Sequence, residues 1–328
     1  MGEIKTVAVT GSTGFVGRHM VRALLDKGYR VRALVRDLAK ARESLPSTAR
    51  AGLELITGDC LDGNSPAKLV AGCDACIHLV GIIRETAGTT FRRAHVDTTK
   101  AMTTACAAAG TRRYLHMSAL KVSDTGKARY QTTKFEAEQL VRRSGLDWTI
   151  FRPGAIHGPG SEMMGMMADL VSGHQPPYFF IPYFTRWQID TRVPLGSATA
   201  VAPVIAPVSV HDVVEAFVRS LSLPQTVGEI YNLVGSEELP WPEFLRHIRD
   251  NTEAGNERIE PSGVPSEVAA RVAMVSAKLG LGGLLPFDEG MAWMGGQDAT
   301  ASLDKARAHL GMEFAGFRES FREYAAAV

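Results

Sequence analysis

Apolar positions in the first half of the chain form short continuous runs separated by segments of helical period. Val7, Ala8 and Val9 make a run of the kind that fills a strand buried on both faces. Similar runs predict strands at 30–35, 53–57, 76–80, 114–117 and 148–151. Between them, Val16, Met20, Ala23 and Leu24 share one face of a first helix, and 93–109 and 130–143 read as longer helices. This alternation predicts right-handed β-α-β units and a doubly wound parallel α/β sheet with helices on both faces. Regularity weakens after Arg152-Pro153-Gly154. Helices are expected at 163–171, 211–221, 241–252, 267–279, 303–310 and 317–327. Strands are expected at 208–210 and 229–233, and a mobile loop at 280–283. The expected division is a first unit over 1–153, to which parts of 204–235 return, and a smaller α/β cap over 154–328.

The first strand runs into Thr10-Gly11-Ser12-Thr13-Gly14-Phe15-Val16-Gly17. Strand, glycine turn and helix together turn a bare glycine pattern into a dinucleotide site of the Rossmann type. Gly11 permits the tight turn, Gly14 lets backbone approach a pyrophosphate, and Gly17 lets helix and strand pack closely. The helix N-terminus presents free N–H groups and partial positive charge to phosphate.

Charge narrows the partners. Thirty-six basic and 35 acidic residues give a net charge of +1, which offers no electrostatic case for nucleic acid. The first strand begins near Lys5, with no room before it for a secretory signal, and no apolar run is long enough to span a bilayer. Cys73 and Cys76 have redox or zinc spacing, but the other cysteines, Cys60 and Cys106, form no second pair. Cys76 is expected in the core. The expectation is a reduced, cytoplasmic protein without a metal site.

The second strand ends in Arg36, where NAD-specific sites carry a carboxylate for the ribose 2′-hydroxyl. A guanidinium there pairs with a 2′-phosphate, so NADP(H) is expected over NAD(H). Asp37 comes too late and is read as a helix cap. Gly58-Asp59-Cys60-Leu61 follows the third strand. Asp59 suits either the adenine amino group or a turn. Leu79-Val80-Gly81 ends the fourth strand, where Gly81 would let a cofactor pass the backbone.

Ser118 follows the fifth strand, after Met117, and Tyr130 and Lys134 lie four apart on the next helix. A phenol with a solution pKa of about 10 becomes a usable acid–base group when an ammonium lowers it. Ser118 would hold a substrate oxygen during hydride transfer.

With these residues in hand, the chain resembles the short-chain dehydrogenase/reductase superfamily, in its extended and atypical epimerase/dehydratase-like members. The glycine run, Ser118, Tyr130, Lys134, Arg152-Pro153-Gly154 and 207–213 carry the likeness. The segments 78–85 and 116–120 are similar to the subgroup named after the dehydrogenase-like accessory subunit of mitochondrial complex I. The resemblance implies a site of Ser118, Tyr130 and Lys134, with Pro153, Gly154 and Ile156 joining the cofactor contacts. It departs at His95, where many catalytic members place an asparagine that supports a water relay behind the lysine. Some relatives bind NADPH in a structural role. Two readings therefore stand: an oxidoreductase or epimerase/dehydratase acting at a carbonyl or alcohol, and a non-catalytic NADPH-binding sensor or assembly subunit. The resemblance leaves monomer and homodimer open.

His157 is read either as a neighbour of the nicotinamide or as a loop hydrogen-bonding residue. Met163, Met164, Met166 and Met167 suit a core helix face or an adaptable pocket for a bulky apolar substrate. Tyr178, Phe179, Phe180, Tyr183 and Phe184 add apolar surface nearby, which if exposed would suit a protein partner or a membrane.

Overall fold

A computed structural model of the chain describes residues 3–46, 52–86, 88–190, 197–281 and 285–328. The strands are β1 (Thr6–Thr10), β2 (Arg30–Val35), β3 (Leu53–Thr57), β4 (Ala75–His78), β5 (Arg113–Met117), β6 (Asp147–Pro153), β7 (Ile156–His157), β8 (Ile181–Asp190), β9 (Ser197–Val201), β10 (Val204–Ile205), β11 (Val208–Ser209), β12 (Glu229–Leu233), β13 (Leu239–Pro240) and β14 (Pro261–Pro265). The helices are α1 (Phe15–Asp26), α2 (Leu38–Ser44), α3 (Ser65–Val70), α4 (Thr98–Ala109), α5 (Arg129–Arg142), α6 (Glu162–Ser172), α7 (Val210–Ser220), α8 (Trp241–Asn251), α9 (Ser266–Lys278), α10 (Glu289–Gly295), α11 (Asp304–Leu310) and α12 (Phe317–Arg322).

Seven parallel strands form the central sheet in the order β12-β6-β5-β4-β1-β2-β3. The order reverses between β1 and β4, and in such sheets ligands bind beyond the strand C-termini at that reversal. Both faces are covered. On one, Val7, Val9, Ile77, Leu115 and Phe151 pack against α1 and α7; on the other, Ala8, Cys76, Tyr114 and Ile150 pack against α3 and α4. Burial on both faces is why these strands read as unbroken apolar runs.

Near the strand ends the second face turns polar. Thr10, His78 and His116 pair in register across β1, β4 and β5. The β4 ladder stops at His78, two residues short of the sequence expectation, so Leu79 and Val80 lie in the loop above the sheet.

A second core joins α6, α8 and α12 around Met164, Ile181, Phe244 and Phe317. Beside it lies a three-stranded sheet, β14-β8-β9, which the sequence pattern does not predict. The helix expected at 93–109 begins as a π-helical turn, Arg92–Asp97, before α4. The C-terminal helix expected at 317–327 stops at Arg322 and resumes as a 3₁₀ turn, Ala325–Ala327. Positions 282 and 283 of the expected mobile loop lie outside the described residues. No helix among the described residues is long and apolar enough to cross a membrane.

Candidate functional site

The three glycines of the first turn have separate jobs. Gly11 has φ +70°, in the left-handed region that L side chains rarely adopt. A Cβ on Gly17 would lie 2.0 Å from the Gly11 carbonyl oxygen, so helix and turn could not close with any larger residue. Around Gly14, which caps α1, a Cβ would meet just that carbonyl, at 3.3 Å, leaving the side facing outward open. Ser12 donates to the Leu34 carbonyl at 3.0 Å and anchors the turn to β2. Thr10 Oγ1 shares a 2.7 Å hydrogen bond with His78 Nδ1, tying β1 to β4 beneath it. Thr13 and Val16 lie half-buried along the turn and first helical residues, while Phe15 sets its ring edge-on to His19.

Arg36 lies exposed just past β2 and near Cys60, whose burial pushes its thiol up to about 12 against the opposing pull of that guanidinium. Asp37 caps α2, accepting from the Ala39 and Lys40 N–H groups. The Asp59 Oδ1 accepts from Leu61 N at 2.8 Å, so one carboxylate oxygen is held by the turn. Gly58 is required for packing: a Cβ there would strike the Ser65 hydroxyl at 2.0 Å.

Lys134 is buried, and its Nζ donates to the Met117 carbonyl at 3.0 Å. Burial lowers it to about 8, with Glu138 pulling the other way. The residue after Met117, Ser118, has a buried hydroxyl with no hydrogen-bond partner among the described residues. A Cβ on Gly81 would lie 2.8 Å from Lys134 Nζ. The glycine therefore makes room for the ammonium of Lys134. Tyr130 is half-buried, one turn away on α5. Its hydroxyl is pushed up to about 12 by burial, so the lowering expected from Lys134 does not occur in this arrangement. The ammonium is engaged with Met117 instead.

His95 sits in the π-helical turn, a feature that often marks functional positions. The Thr133 hydroxyl donates to the Arg129 carbonyl at 2.7 Å, and His95 Nδ1 lies 2.9 Å from its oxygen. On the other side of the ring, Nε2 lies 3.1 Å from the Ile82 carbonyl oxygen and 3.3 Å from the Ile82 N–H, so either tautomer bonds both partners. The imidazole thus bridges the loop after β4 to the helix bearing Tyr130, and stacks edge-on against the Tyr130 ring at 5.4 Å.

Pro153, Gly154 and Ile156 lead from β6 into β7; Gly154 N donates to the Leu233 carbonyl, and Ile156 pairs with Val208. His157 turns away from the site. Its Nδ1 shares a 2.8 Å hydrogen bond with the Tyr324 hydroxyl and its ring packs on Phe317, so the loop-bonding reading holds. The four cysteines are buried and free, Cys76 in the core as expected.

Sequence reasoning missed Glu138. Its carboxylate is fully buried and gripped by Arg152 through Nε at 2.8 Å and Nη2 at 2.6 Å. Glu138 follows Lys134 by four residues on a helix, a spacing that could have drawn attention to it. Arg152→Ala leaves that charge buried and unpaired and is expected to cost about 3–5 kcal/mol of stability. Denaturant unfolding checks this, and adding Glu138→Gln should restore most of the loss. A loss of under about 1 kcal/mol would show the pair to be a surface-like bridge.

Residues 11–169 match the family model described as NAD(P)H-binding. Ceramide reductase of Caulobacter vibrioides is 36% identical over 162 residues, 49% of this chain and 49% of that protein. NADH dehydrogenase (ubiquinone) 1 alpha subcomplex subunit 9, mitochondrial, of Dictyostelium discoideum is 25% identical over 245 residues, 74% of this chain and 63% of that protein. The chain thus spans about half of the first relative's length and under two thirds of the second's. The UDP-glucose 4-epimerase of Thermus thermophilus, in complex with NAD, shares the fold, with TM-score 0.68, 19% identity, and coverage of 98% of this chain and 97% of that one. Residues 11–169 thus match an NAD(P)H-binding domain, and the chain as a whole shares the fold of that epimerase.

Proposed function

We propose that the protein is an NADPH-dependent reductase of a carbonyl group on a bulky, apolar substrate. The observation that carries this reading is the buried, unpartnered Ser118 hydroxyl beside the Lys134–Met117 bond. A buried hydroxyl without a partner costs stability, and a substrate oxygen accepting from it recovers that cost. The residues present fit a dinucleotide: the open face at Gly14 and the α1 N-terminus for the pyrophosphate, and Arg36 for a 2′-phosphate. Asp59, with Oδ2 outside the turn bond, serves the adenine amino group. A reduced nicotinamide bound there supplies a hydride to the carbonyl carbon.

The chain's own residues handle the oxygen. Ser118 donates a hydrogen bond to it, and Tyr130 Oη gives it a proton as the C=O π bond becomes an alkoxide. A phenol raised to about 12 is fully protonated at neutral pH, which suits a proton donor in reduction. Lys134, still largely charged at neutral pH, anchors the strand end that leads into Ser118 through the Met117 carbonyl, and the phenolate left behind regains its proton from water. His95 stays neutral and holds Tyr130 and the loop at 81–82 in place. On the substrate side, Met163 and Met166 stay half-buried on α6 while Met164 and Met167 enter the core. The ceramide reductase likeness supports an apolar substrate.

One observation favours a second reading, an NADPH-binding subunit without turnover: Lys134 is bonded to Met117 and does not activate Tyr130. The likeness to a respiratory-complex subunit supports the same view. NADPH consumption across a panel of long-chain aliphatic ketones separates the two, since binding without consumption favours the subunit. Cofactor choice is tested separately. Arg36→Ala should lower the NADPH-over-NADH affinity ratio roughly 10–100-fold, the worth of a charge-assisted phosphate contact. An unchanged ratio in calorimetric titration would remove Arg36 from the site.

A further inference from the structure

Gln131 follows Tyr130 as the third residue of α5, and the proposed chemistry does not use it. Its side chain is buried and both ends of its amide are committed. A carbonyl oxygen can only accept, so the 2.9 Å bond to the Lys121 carbonyl fixes which end is the nitrogen. Nε2 also donates to Gln297 Oε1 at 3.3 Å, and Oε1 accepts from the Ala128 N–H at 3.4 Å. The Ala128 bond is an ordinary way to cap a helix start. Capping alone would leave Nε2 free, whereas here it reaches two separate segments.

The first segment carries Ser118. Backbone bonds from Ser118 N to the Phe151 carbonyl at 2.7 Å and from Leu120 N to the Pro153 carbonyl at 2.8 Å pin its start to β6. At its far end Lys121 has φ +60°, in the left-handed region that non-glycine residues enter rarely and at a cost. The Gln131 amide holds it there by its carbonyl. Gly126 keeps room for this contact, since a Cβ there would lie 2.7 Å from Gln131 Cβ.

The second segment follows α10. Gln297 precedes Asp298, whose carboxylate accepts from Arg186 of β8 at 2.5 Å and from the Val204 N–H at 2.9 Å. One buried amide therefore joins the loop bearing Ser118, the helix bearing Tyr130 and a segment bound to the cap sheet.

We propose that Gln131 is a positioning residue that sets Ser118 against Tyr130 by holding Lys121 in its left-handed conformation. The proposal rests on the reading of Ser118 and Tyr130 as the pair that handles the substrate oxygen. Without the amide, Lys121 relaxes out of the left-handed region and the short loop carries Ser118 with it. Gln131 itself touches neither substrate nor cofactor in this role.

The test compares three variants of the intact protein. Gln131→Leu keeps the buried volume, Gln297→Leu cuts the link to the cap alone, and Gln131→Leu/Lys121→Gly offers a rescue. Glycine enters the left-handed region without strain, so it should restore the loop where the amide is missing. Without cofactor or substrate, amide exchange at Leu120 should rise about tenfold in Gln131→Leu while Leu115, in the sheet core, stays unchanged. The double variant should bring Leu120 back towards the wild-type rate. In ketone reduction, Gln131→Leu should lower kcat roughly 10- to 100-fold, as a small misplacement of reacting groups does, with KM and NADPH affinity within a few-fold. Adding Lys121→Gly should recover most of that loss, and Gln297→Leu should leave kcat close to wild type. Gln131→Glu, which keeps the Ala128 bond and loses both donors, carries the same predictions where the leucine variant does not fold. Unchanged exchange at Leu120, unchanged kcat in Gln131→Leu, an equal kcat loss in Gln297→Leu, or a loss that Lys121→Gly leaves in place would each overturn the inference. A wild type that consumes no NADPH fails the reading of the site instead, and exchange at Leu120 then decides alone whether Gln131 holds the loop.

Discussion

Tyr130→Phe should lower kcat for ketone reduction by about 10²- to 10⁴-fold, the usual contribution of a positioned general acid. The phenyl ring keeps the edge-on contacts with Phe91 and His95, so the variant should fold with an unchanged melting temperature. NADPH affinity should stay within a few-fold, because the glycine turn and Arg36 are untouched. The pH dependence gives a second readout. With the phenol raised to about 12, kcat should show no basic limb from Tyr130 below pH 9; a fall tracking a group near 8 would instead report Lys134. Unchanged turnover in the Phe variant would remove Tyr130 from the chemistry.

Acidification should destabilise the fold steeply below pH 6.5. His78 and His95 are held at about 3 and His157 at about 4, in each case chiefly by burial. Lys134 adds repulsion at His78 and His95, and His211 at His157. The native state therefore keeps these rings neutral where the unfolded chain takes up protons. The unfolded state binds more protons between about 6.5 and the folded values, so stability is complete above 6.5 and falls with pH. Well below 6.5 each ring costs about 1.4 kcal/mol per pH unit, and the three together about 4. Denaturant midpoints measured from pH 7.5 to 5 should fall accordingly. Replacing His157, which lies away from the site, by Gln should reduce the slope by about 1.4 kcal/mol per pH unit. A flat profile would mean that these rings accept protons within the fold.

Much of the dinucleotide-binding half was legible because its physics is local. Strands buried on both faces must be apolar throughout, and a turn followed by close helix packing must use glycine, as Gly11 and Gly17 show. The cap was less legible. β8 mixes aromatic residues with exposed Trp187, Gln188 and Ile189, and β14 reads Pro-Ser-Gly-Val-Pro, a composition that argues against a strand. Their pairing depends on residues some 80 positions apart. The site divides in the same way. Spacing placed Tyr130 and Lys134 on one helix, but the bond from Lys134 to Met117 depends on how α5 sits against β5. The burial that raises Tyr130 is likewise tertiary. The π-helical turn leaves no trace in the apolar pattern, so the bridge from His95 to Ile82 was hidden. His157 was ambiguous for the same reason: its partner, Tyr324, lies 167 residues away.

The central claim is that a hydride reaches a substrate carbonyl while Tyr130 protonates its oxygen. The direct measurement is isotope transfer from NADPH carrying deuterium at the reactive nicotinamide carbon, with long-chain aliphatic ketones as acceptors. The account predicts one deuterium on the new carbinol carbon per NADPH consumed, with transfer nearly lost in Tyr130→Phe. Tightly bound NADPH that transfers no label to any ketone, with wild type and Tyr130→Phe indistinguishable, would contradict it.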